Sequence, residues 1–248
     1  MNIITLDWET FYSDKFSLTK LTTPEYVFHE HFKEHMVGIK INDEKPYVVQ
    51  GKFIKSHLLN LPWGDSIMLC QNAIFDGFIA AQIHGIIPAR YADTRCMSAA
   101  LFVGEKSHSL KTIAERLWPD DESKRKGHEL AQSKGVYDLD KDTFDAIAGY
   151  CAMDCDLTYD AYQMMIDAMP QKEMDLIDLT IRMFCQPMLE LDNKRLKKFL
   201  STIVRERERL IKCSGLEETV LSSNLKFSNW LAQNNMIVPM KISPTTKK

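Results

Sequence analysis

The 248-residue chain has no run of about 18 apolar residues, the length a bilayer-spanning helix needs, which excludes a polytopic membrane protein. Its N-terminus has no basic stretch ahead of an apolar one and carries Asp7, so it does not read as a signal peptide. No Cys-x-x-Cys pair occurs among Cys70, Cys96, Cys151, Cys155, Cys185 and Cys213. Their scatter points to reduced core thiols in a cytosol rather than to disulfides or zinc, so a cytoplasmic protein with no membrane partner is expected. Internal repeats and low-complexity tracts are lacking as well. The remaining composition, 45% apolar and 26% charged, excludes wholesale disorder and a collagen-like rod.

Charge is unevenly placed. The net charge is −3, yet residues 194–248 hold 12 Lys/Arg against 4 Asp/Glu, and residues 1–193 hold 19 against 30. An acidic body with a basic tail suits one part that collects cations and another that holds phosphate; a solvated basic helix is the other reading.

Residues 3–8, 34–42, 46–50 and 65–70 read as strands from their apolar, β-branched runs, with Tyr91-Ala92 as a short fifth. Helical spacing predicts helices over 51–60, 72–85, 94–102, 109–118, 142–169, 171–185, 192–213 and 224–233. Residues 120–140 are polar and lysine-rich and read as a mobile surface loop. Strands followed by helices on both sides of a mixed sheet indicate an α/β fold, with a second, all-helical segment starting near Leu191.

Acids stand at three places where apolar residues would be ordinary. Asp7 and Glu9 close the first strand and, by strand alternation, point to the same side. Two carboxylates this close repel unless a cation lies between them; a solvated strand end is the alternative. Asn72 and Asp76 open the helix after the strand at 65–70, where Asn72 suits an N-cap and Asp76 complements the helix dipole. Tyr150 and Asp154, four apart, share a helix face, though Asp154 could equally be a surface acid with Tyr150 packed in the core.

Together these make an ordered set: Asp7-x-Glu9, then Asn72-x-x-Phe75-Asp76, then Tyr150-x-x-x-Asp154, with 67 positions from Glu9 to Asp76 and 78 from Asp76 to Asp154. The set resembles the DnaQ-like 3′–5′ exonucleases, in their tyrosine-bearing subgroup, over about residues 1–185. The histidine-bearing subgroup would need His where Gly149 stands. Asp93-Thr94, Met97–Phe102 and Ser107-His108-Ser109-Leu110 resemble the stretch between the second and third motifs in exonuclease domains of bacterial and phage family-A DNA polymerases. Lys226-Phe227 and Lys241–Lys247 resemble the join to the polymerase part, except that Lys247 stands where Gly is expected.

The resemblance implies an α/β, RNase H-like fold over residues 1–188, a mixed central sheet flanked by helices. A basic helical extension at 189–248 would resemble the start of a polymerase part. It implies a metal-dependent 3′–5′ exonuclease acting on 3′ ends of single-stranded or frayed DNA, releasing 5′-nucleotides, as the proofreading part of a DNA polymerase. Such a protein would work in a phage-infected host's cytoplasm or a bacterial nucleoid.

Two Mg²⁺ or Mn²⁺ ions would suit four hard carboxylates with no required thiol or imidazole. The resemblance implies that Asp7, Glu9 and Asp154 would hold the nucleophile-side ion, Asp7 bridging to a second that Asp76 binds largely through water. Tyr150, a phenol with an ordinary pKa of ~10, would aim the attacking water rather than deprotonate it. Trp8 and Phe75 border the acids and would stack on terminal bases, or else pack in the core. The family resemblance also implies that Thr10 and Asn72 would touch the 3′-terminal nucleotide. Lys194, Arg195, Lys197 and Lys198 are candidates for neutralising backbone phosphates. His29, His31, His35, His84, His108 and His128 share no ligand spacing with the acids and read as surface or satisfied core residues. No His-Asp-Glu or Tyr-Gly of a family-A palm and fingers is present, so a polymerase partner would be a missing part or a separate chain. A 3′–5′ exoribonuclease of the same superfamily and a non-catalytic nucleic-acid-binding module stay open.

Overall fold

The computed structural model describes residues 1–124 and 133–238. The central part of the expected loop at 120–140, including His128, and the Lys241–Lys247 segment lie outside the described residues. Two compact units emerge, Met1–Met188 and a second from Leu189 onward.

The first unit is built on a five-stranded mixed sheet: β1 (Asn2–Thr10), β2 (Glu34–Ile41), β3 (Tyr47–Gln50), β4 (Ser66–Cys70) and β5 (Arg90–Asp93), in the order β3-β2-β1-β4-β5. β1 runs antiparallel to β2 and parallel to β4, and β4 is parallel to β5. As the middle strand, β1 is covered on both faces, which explains its apolar run before Asp7. Helices α1 (Thr23–Val27), α2 (Gly51–Leu58), α3 (Ala73–Gln82), α4 (Thr94–Leu101), α5 (Leu110–Leu117), α6 (Lys141–Ile166) and α7 (Gln171–Cys185) surround the sheet. This is the expected α/β architecture, a mixed central sheet flanked by helices. α1 was not legible from hydrophobic spacing; Thr22 and Glu25 form a capping box that starts it.

Two irregularities of β2 shape the site end of the sheet. The first is Gly38, paired with Asp7. A Cβ there would lie 2.8 Å from both Cys151 Sγ and Cys155 Sγ. Helix α6 therefore rests directly on β2 at the one position without a side chain. The second is a bulge. Glu9 pairs with Met36 but Thr10 pairs with Glu34, so His35 is an extra residue in β2. An extra residue reverses the alternation, and Glu34 therefore shares the sheet face of Trp8 and Thr10 rather than that of Glu9.

The second unit contains α8 (Asn193–Ser214), α9 (Glu218–Leu221) and α10 (Asn224–Gln233). Asp192 caps α8 by accepting from Arg195 N, and Gly215, at φ +66°, ends it. Among the described residues no helix is long and apolar enough to cross a membrane.

Two predictions follow from β2. Gly38→Ala should destabilise the protein by roughly 1–3 kcal/mol in urea unfolding, because the methyl group overpacks two thiols; a variant as stable as wild type would contradict the close helix approach. Burial, then the Lys33 charge, lowers the His35 pKa from 6.5 to about 4. Below pH 6.5 the unfolded chain binds a proton that folded His35 refuses until about pH 4. Stability should thus fall as pH drops through that window, by up to about 3 kcal/mol. His35→Leu should flatten this part of the urea-midpoint profile; an unchanged pH slope would contradict it.

Candidate active site

The sheet end formed by the C-termini of β1 and β4 carries the acids. Asp7 and Glu9 leave β1 on the α6 face, as strand alternation requires. One carboxylate oxygen of each lies within 4.8 Å of the other and of Cys151 Sγ on α6. The Cys151 thiol itself donates to the Asp7 carbonyl at 3.3 Å. Glu9 is buried.

Asp154 stands one turn beyond Tyr150 on α6 and is only 5% exposed, which sets aside its reading as a surface acid. Tyr150 is half-buried. Asp7 and Asp154 both line a cleft of about 510 Å³, whose other walls include Gln71, Asn72, Arg95, Lys106 and Ser107–Leu110. The acids thus face a rim that carries two basic side chains.

Asp76 arrives from the opposite layer. It sits in the first turn of α3, is 4% exposed, and its Oδ1 accepts the Trp8 backbone N–H at 3.0 Å. Burial, and after it the charge of Asp7, holds the Asp76 carboxyl well above the usual carboxylate range. The Cys155 thiol registers the same convergence. Burial raises its pKa most, followed by the charges of Asp7, Asp154 and Asp76. Carboxylates from β1, α3 and α6 therefore act on one buried sulfur.

Such a cluster is costly without a counter-charge. Hard oxygen donors from β1 and α6 at a polar cleft, with Asp76 buried on the Trp8 backbone N–H, fit a Mg²⁺- or Mn²⁺-sized ion. Cys151 adds a thiol beside the oxygens that motif spacing did not flag.

The four residues expected at the terminal nucleotide fare differently. Trp8 is buried, its indole turned into the core, so the expectation of base stacking gives way to packing. Thr10 is also buried and its hydroxyl pairs with the Tyr26 hydroxyl at 2.8 Å, which commits it to the fold. Phe75 is half-buried beside Tyr26, with ring centroids 5.9 Å apart. Asn72 lines the cleft, as a cleft-facing role requires, but does not cap with its side chain. It adopts a left-handed backbone (φ +74°), and its Oδ1 accepts from Arg95 Nη1 at 2.7 Å.

The capping falls to Asp93. Its carboxylate accepts from Asn72 N (3.0 Å) and Ala73 N (2.9 Å) at the start of α3, and from Arg95 N (2.8 Å) at the start of α4. The sequence signals Asp93 as a cap for the helix that follows it; its second task, across the sheet end, has no local signal. Arg95 and Lys106 likewise gain meaning only from the cleft. Lys194, Arg195, Lys197 and Lys198 are exposed on α8 in the second unit.

No family model matches the chain, and no curated protein matches it. Among solved structures, the chain is similar to NrnC of Brucella melitensis with bound Mg²⁺, at 16% identity over 74% of this chain and 81% of that one, TM-score 0.47. The same protein bound to pGG aligns at 17% identity and TM-score 0.48, with the same coverage. The catalytic core of RRP6 from Trypanosoma brucei aligns at 11% identity over 93% of this chain and 57% of that one, TM-score 0.47.

Proposed function

We propose that the chain is a divalent-metal-dependent 3′–5′ exonuclease that shortens single-stranded or frayed DNA and releases 5′-nucleotides. The observation that carries this reading is that Asp7 lies beside Glu9 on one sheet face and shares with the buried Asp154 a cleft rimmed by Arg95 and Lys106, while Asp76 is buried on the Trp8 backbone N–H. A binding module has no use for so costly a set of buried acids.

Asp7, Glu9 and Asp154 would hold one cation, and Asp76, beside Asp7, would contribute to a second. Bound divalent ions supply a hydroxide at neutral pH and neutralise charge on the phosphate. The chain's own residues do the rest. Tyr150 shares a helix face with Asp154, one turn away, and its phenol would hydrogen-bond a water held near that carboxylate. Arg95 and Lys106, on the rim of the cleft, hold the strand's phosphates, and the half-buried Phe75 takes a terminal base. The exposed basic residues Lys194, Arg195, Lys197 and Lys198 supply further phosphate contacts. The motif order, together with the join-like Lys226-Phe227, supports a proofreading module of a family-A DNA polymerase, whose polymerase part would lie on the same or a separate chain.

The test is a 5′-labelled single strand incubated with Mg²⁺ or Mn²⁺. Wild type should shorten it stepwise from the 3′ end, and Asp7→Ala should be slower by roughly a thousandfold, the rate equivalent of about 4 kcal/mol. Equal rates in both proteins would overturn the reading. Wild type that binds the strand without cutting it would make the chain a binding module. DNA and RNA strands of one sequence, compared side by side, assign the substrate, because the sugars differ by the 2′-hydroxyl; a faster RNA reaction would replace proofreading by RNA trimming.

A further inference from the structure

We infer that Glu34 and His84 are positioning residues for Asp76, acting through Trp8; this rests on the nuclease reading of the site. The β2 bulge at His35 turns Glu34 onto the sheet face of Trp8. There the Trp8 indole Nε1–H donates to Glu34 Oε1 at 2.8 Å, and His84 Nε2 lies 2.7 Å from the same oxygen. An ionised carboxylate only accepts, so His84 Nε2 carries the proton and donates. The Trp8 and His84 rings stack, with centroids 6.0 Å apart and planes 21° from parallel. His84 is buried and its Nδ1 has no hydrogen-bond partner among the described residues, which leaves Glu34 as the ring's polar anchor.

The network matters because of where its members sit. Asp76 is in the first turn of α3, and His84 lies two residues past the helix's last residue, Gln82. Trp8 reaches both ends. Its backbone N–H holds the Asp76 carboxylate at 3.0 Å, and its indole is tied through Glu34 to His84. Helix α3 is thereby tied to β1 at both ends, and a carboxylate of the proposed site is held at a fixed distance from Asp7, the residue before Trp8. None of the three side chains needs to touch a substrate for this.

The experiment uses the full chain with Trp8→Phe, Glu34→Ala, Glu34→Gln and Asp76→Asn, singly and in double combinations. Trp8→Phe keeps an aromatic ring and the backbone N–H but removes the indole donor together with part of the ring volume, so Glu34→Ala, which leaves the indole in place, is read beside it. We expect Trp8→Phe and Glu34→Ala each to lower kcat about tenfold or more, with KM within about twofold. Mn²⁺ affinity, read by electron paramagnetic resonance, should weaken by a similar factor. Glu34→Gln keeps an accepting oxygen and should recover to within about threefold of wild type. In the Asp76→Asn background the same changes should cost less than about twofold in Mn²⁺ affinity, since the group they position is gone. A role confined to stability would lower the melting temperature and add equally in both backgrounds; that result overturns the inference, as do unchanged kcat and Mn²⁺ affinity in Trp8→Phe and Glu34→Ala. A wild type that neither cuts a strand nor binds Mn²⁺ overturns the nuclease reading and this inference with it, whereas an active wild type with silent variants overturns this inference alone.

Discussion

The approach of helix α6 to strand β2 at Gly38 is the constraint on which the acidic site depends. A side chain at this position would meet two sulfurs at 2.8 Å. Its absence lets α6 settle against the sheet, and this contact brings Cys151 against the Asp7 carbonyl. Asp154, one turn further along the helix, then shares a cleft with Asp7. Each carboxylate is placed by ordinary packing rather than by mutual attraction, because the acids repel one another. The hydrophobic core and the backbone hydrogen bonds must therefore hold what electrostatics alone would drive apart.

That division of labour runs through the first unit. Asp76 is fixed by a main-chain donor from β1, and α3 begins under two N–H bonds to Asp93. On the α3 side of the sheet, the bulge at His35 delivers Glu34 to Trp8 and His84. The open cleft lined by Asp7 and Asp154 is the direction in which their charge can be met. The basic rim formed by Arg95 and Lys106 faces them there.

Much of this was legible in the sequence, for identifiable reasons. Strand alternation put Asp7 and Glu9 on one side, and helical period put Tyr150 beside Asp154; both are local rules that tertiary context did not override. The five strands and the long helix from Lys141 follow from apolar periodicity. What was not legible depends on partners distant in sequence. The Trp8 indole looked available for a base because its neighbours are acids, yet its partners are Glu34 and His84, 26 and 50 residues apart from Trp8 and from each other respectively. The bulge that makes the pairing has no sequence signature of its own. Asn72 looked like a side-chain cap, but a left-handed backbone and an aspartate 21 residues downstream do that work.

The central claim, that carboxylates far apart along the chain build one divalent-cation site, is tested most directly by anomalous diffraction from crystals soaked in Mn²⁺. The account predicts anomalous peaks within coordination distance of Asp7, with Glu9, Asp154 and Asp76 among the ligands, and their loss in Asp7→Ala crystals. Mn²⁺ that leaves these oxygens empty at saturating concentration would contradict it.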